Sequence, residues 1–171
     1  GLRVFRLVED GVPVTLSTRL SFEASANSEA VYGPVLPPGA TPLALHSTLP
    51  ARIEPDGSVR VQLRPGQWEL TLVARLPGPV SELARSKTRG NWPEEEVWSF
   101  AAQPTLRVVT PSGPDAVDPQ QTDVPQEWKI YPAFRMRSTD KLGLTEIRRG
   151  YPLPEPDRLN LVRRLWLDFD G

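Results

Sequence analysis

The sequence predicts an all-β protein, an antiparallel β-sandwich with little helix, and three observations carry that expectation. Side chains alternate in character at every second position over several short runs, most clearly from Val12 to Phe22. Period two sends successive side chains to opposite sheet faces. Twenty prolines among 171 residues remove backbone donors and fix φ, which confines regular structure to short pieces between turns. Gly, Pro and Asp cluster between the apolar runs at the spacing of all-β proteins.

The first unit is a hairpin. Leu2–Val8 and the Val12–Phe22 run flank Glu9-Asp10-Gly11, where Asp-Gly is expected to supply the positive φ of a tight reversal, and Pro13 sits at a strand entry. Residues 24–42 lack sustained periodicity and read as a long loop with one short strand around Val31. From Leu49 to Leu76 a three-stranded meander is expected, turning at Pro55-Asp56-Gly57 and Pro65-Gly66. In its last strand Trp68, Leu70, Leu72, Ala74 and Leu76 share one face.

Ser81–Lys87 reads as one or two helical turns, and Glu96–Phe100 and Thr105–Val109 as strands. A second loop is expected from Pro111 to about Pro125, followed by strands at Glu127–Ile130, Ala133–Met136, Leu142–Ile147 and Leu159–Phe169. Roughly ten strands in 171 residues exceed an immunoglobulin core of about 100 residues, so a larger jelly-roll-like sandwich is expected, the alternative being an Ig-like core with added strands. Residues 1–171 read as one domain; both ends are β-like, and the parent protein is expected to be longer.

Composition narrows the functional classes. Twenty Lys and Arg against 21 Asp and Glu give a net charge of -1, which offers no electrostatic footprint for nucleic acid. No window approaches the apolar length of a membrane-spanning helix, so direct membrane insertion is not expected. The absence of cysteine removes disulfides, zinc-thiolate sites and thiol nucleophiles, and no phosphate-cradling or nucleophile-elbow motif is present, so no cofactor, metal or catalytic residue is assigned.

The Pro-Asp-Gly turn, the alternating strand after it and Pro65-Gly66-Gln67-Trp68-Glu69-Leu70 resemble a signature of Ig-like and jelly-roll accessory domains in large bacterial envelope and secreted proteins. The resemblance covers Leu49–Leu76 and transfers no functional residue. It implies a non-catalytic interaction or scaffold domain in a periplasmic or cell-envelope setting, with other domains of the parent chain, a protein or a glycan as partner. A carbohydrate-binding module is the alternative.

Five tryptophans bear on that alternative. Trp68, Trp98 and Trp166 lie in apolar runs and are expected in the core. Trp92 stands in the turn-rich Arg89-Gly90-Asn91-Trp92-Pro93, so Arg89, Asn91 and Trp92 are candidate ligand contacts, with Trp128 as a further aromatic. Glu94, Glu95 and Glu96 read as a solvated acidic strand edge rather than glycosidase carboxylates. Asp115, Asp118 and Asp123, and separately Asp168 and Asp170, lack EF-hand spacing and read as turn formers. His46 has no metal-sharing partner and reads as a strand residue.

Overall fold

The structure, a computed structural model, describes residues 1–150. The expected strand Leu159–Phe169, with Trp166, Asp168 and Asp170, lies outside the described residues. Within them the chain is all-β. The strands are β1 (Leu2–Asp10), β2 (Thr15–Ala24), β3 (Ser28–Tyr32), β4 (Thr41–Ser47), β5 (Ala51–Ile53), β6 (Val59–Leu63) and β7 (Gly66–Arg75). They continue with β8 (Glu82–Ala84), β9 (Glu95–Ala102), β10 (Arg107–Ser112), β11 (Asp115–Val117), β12 (Ala133–Arg137) and β13 (Lys141–Arg149).

Three open sheets form the sandwich. The large one has seven strands in the order β11-β12-β9-β1-β2-β7-β4, and the smaller ones run β10-β13-β8 and β3-β6-β5. All pairs are antiparallel except β1 with β9, which run parallel in the middle of the large sheet. Strands this central are covered on both faces, and five consecutive residues of β1, Val4 to Val8, are buried.

Two apolar cores lie on one face of the large sheet. The first joins Val8, Leu16, Trp98, Phe100 and Met136 to Leu83, Leu142 and Leu144 of β8 and β13. The second joins Val4, Leu20, Leu70 and Leu72 to Val59 and Val61 of β6. A third cluster covers the opposite face, where Phe5 and Leu7 meet Val124 and Trp128. Pairing aligns Phe134, Trp98, Arg6, Thr18 and Leu72 in one row across the large sheet. Arg6 therefore sits between Val4 of the second core and Val8 of the first.

The structure departs from the sequence-based expectation in several places. The Leu49–Leu76 segment is not a meander, because β7 pairs with β2 over ten residues rather than with its neighbour β6. A ten-residue strand forms a longer ladder with the ten-residue β2 than the five-residue β6 could provide. Ser81–Lys87 contains β8 instead of a helix; Leu83 enters the first core while β8 pairs with β13.

Glu127–Ile130 is not a strand either. Pro125 precedes a 3-10 turn at Gln126–Trp128, closed by Trp128 N donating to Pro125 O at 2.8 Å. The loop at 24–42 holds β3 around Val31 as expected, but β4 already begins at Thr41. The segment 111–125 carries β11 and a 3-10 turn at Pro119–Gln121. Gly11 does not take a positive φ; it donates its N–H to Glu9 O at 2.8 Å, and the reversal continues through a cis Val12-Pro13 bond.

The Pro55-Asp56-Gly57 turn forms as its composition dictates. Asp56 Oδ1 accepts from Ser58 N at 2.9 Å, and Gly57 N donates to Glu54 O at 2.9 Å. Gly57 has φ +83°, and a Cβ there would stand 3.1 Å from Leu36 Cβ. Its carbonyl accepts from Val35 N at 2.8 Å and Leu36 N at 3.1 Å, tying the β3–β4 connection to this turn.

Candidate functional site

Charged side chains meet where the two cores meet. β9 alternates, so Glu96 shares the inward face with Trp98 and Phe100 and is 1% exposed. Arg6, also 1% exposed, donates through Nε to Glu96 Oε2 at 2.8 Å and through Nη1 to Thr18 Oγ1 and Val35 O, both at 3.0 Å. Its guanidinium carbon lies 5.5 Å from the centroid of Trp98, a cation–π distance.

Both oxygens of Glu96 are engaged. Oε2 also accepts from Trp98 Nε1 at 2.7 Å, and Oε1 accepts from Trp92 Nε1 at 2.8 Å. Arg85 Nε stands 3.2 Å from Oε1. The Arg85 fork then donates to Pro93 O at 2.7 Å, to Met136 O at 3.3 Å and to Glu94 O. One carboxylate thus ties β1, β9 and the loop after β8 together.

Burial works to raise the Glu96 carboxyl, but the Arg6 charge and the Trp92 and Trp98 donors outweigh it and hold the group below the ordinary carboxylate value. A carboxylate ionised across neutral pH and fixed between two guanidiniums is an ion-pair anchor. It has no proton to give at neutral pH, and its lone pairs already have partners. The acidic-edge expectation is corrected for Glu96, whose parity carries it inside, while Glu94 and Glu95 remain exposed. Glu94 and Glu96 therefore do not face a common cleft.

A second buried pair stands where β1 ends. Arg107 donates to Asp10 Oδ1 through Nε at 2.8 Å and Nη2 at 2.6 Å, to Val80 O at 3.0 Å and to Glu146 Oε2 at 3.2 Å. It ties the β1 terminus to β10 and β13.

The candidate ligand contacts do not converge. Arg89 and Asn91 are exposed on the loop before β9, but Trp92 beside them is half-buried against the second core with its N–H on Glu96. Trp128 is 5% exposed in the third cluster, on the far face of the large sheet, with the Arg19 guanidinium 5.2 Å from its ring centroid. Neither indole offers a free platform for a sugar ring. Trp98 is buried as expected; Trp68 is half-buried and donates Nε1 to Arg64 O at 2.8 Å.

The aspartates of the 111–125 segment diverge. Asp115 pairs with Arg137 at 3.4 Å, Asp118 caps Gln120 N at 2.9 Å and Asp123 pairs with Arg3 at 3.1 Å. His46 lies exposed on β4. Among the described residues no group of three or more His, Asp or Glu is placed to hold a metal ion.

The largest concavity among the cavities found is a groove of about 940 Å³ between the β5–β6 turn and β8. Its walls are mainly proline and aliphatic, including Pro34, Leu36, Pro38, Ile53, Pro55 and Ala84, with Glu54, Glu82 and Lys87 at its margins. The fixed φ of these prolines and the Gly57 bonds hold one wall. The other is β8, which among the described residues is an edge strand paired only with β13.

Leu144 N donates to Ser81 O at 2.7 Å, so Ser81 and Leu83 aim their backbone groups at β13. Alternation then directs those of Glu82 and Ala84 away from β13. Among the described residues the trough is thus an aliphatic surface beside strand-edge donors and acceptors that have no strand partner. The fold and groove thus define an all-β sandwich with an open strand edge. No family model matches the sequence, and no curated protein matches it.

Proposed function

We propose that this protein is a non-catalytic interaction domain that docks an extended polypeptide in the groove beside β8. The supporting observation is the groove itself: proline and aliphatic walls, together with the backbone of Glu82 and Ala84, which has no strand partner among the described residues. Main-chain pairing along an edge strand gives affinity, and pockets for alternate side chains give selectivity. The partner is another domain of the same polypeptide or a separate protein, in the cell-envelope setting implied by the turn signature.

The test is an amide-resolved NMR titration of the labelled 171-residue chain with a ten-residue peptide of alternating valine and proline. The expected result is saturable shifts at Leu36, Ile53, Ala84 and Lys87, lost in Ala84→Glu. An unchanged spectrum at millimolar peptide, or equal shifts in the variant, contradicts the proposal.

The glycan alternative draws on Arg89 and Asn91, exposed together on one loop. Saturable binding on a glycan array, abolished by Arg89→Ala with Asn91→Ala, would favour it over peptide docking.

A further inference from the structure

We draw no further inference here: the strongest candidate, the outer edge of β4 at the end of the seven-stranded sheet, is interrupted by Pro42 and a register irregularity before Ala44, and nothing in the structure shows what covers it.

Discussion

The junction around Glu96 and the groove beside β8 invert the usual distribution of polarity. At the junction Arg6, Arg85 and Glu96 are charged and buried; at the groove Leu36, Ile53 and a series of prolines line an opening to solvent. Buried charge costs several kcal/mol per ion in desolvation unless hydrogen bonds and an opposite charge offset it. The bonds around Glu96 supply that offset and fix where β1, β9 and the loop before β9 meet. Among the described residues the outer edge of β8 at the groove has no strand partner. In the proposed reading, charge serves the fold and apolar surface serves recognition.

The largest expected effect comes from breaking the junction. Glu96→Gln keeps the size but leaves an acceptor for only one of the two indole donors, and Arg6 and Arg85 then face no carboxylate. Unfolding in urea should report a loss of about 3–5 kcal/mol. Adding Arg6→Met should recover part of it, because a buried pair replaced by apolar or neutral groups is often neutral in net effect. A double-mutant cycle reads the coupling directly, and additivity of the two losses would mean that Arg6 and Glu96 do not act as a pair.

A smaller effect follows from Trp92→Phe, which keeps the ring against the second core but removes the donor to Glu96. The expected loss is about 1 kcal/mol, and it should shrink to near zero in a Glu96→Ala background.

Acid should loosen the junction before the groove. The folded Glu96 carboxyl lies below its unfolded value, so its contribution is complete above the unfolded carboxylate pKa of about 4.3 and disappears as pH falls through the lower folded value. Stability against pH should fall more steeply over that acid window in the unsubstituted protein than in Glu96→Gln. Equal slopes would mean that other carboxylates carry the acid sensitivity. The smallest effect is expected at the groove, where Ala84→Glu should change stability by less than about 0.5 kcal/mol while abolishing peptide shifts.

Much of this contrast was written in the sequence, though not all of it could be read there. Apolar runs placed β1, β2, β7, β9 and β12, with period-two alternation clear in β2 and β7. The same parity puts Arg6 with Val4 and Val8, and Glu96 with Trp98 and Phe100, so two charged residues on inward faces were visible signals. The acidic run Glu94-Glu95-Glu96 hid the second one by looking like a solvated edge.

Their partnership was not legible, because the two are 90 positions apart and are joined by the parallel β1–β9 contact, which local sequence does not specify. The groove was hidden for a related reason. Its walls come from three separate segments, and β8 became a strand only because β13 offered it a partner.

The division of labour is tested most directly by repeating the valine–proline peptide titration on the Arg6→Met/Glu96→Gln double variant. The account predicts a folded protein whose Leu36, Ile53 and Ala84 signals shift as in the unsubstituted chain, with binding changed by less than about threefold. A folded double variant that no longer binds the peptide would contradict it, since the buried charges would then belong to recognition and not to the fold alone.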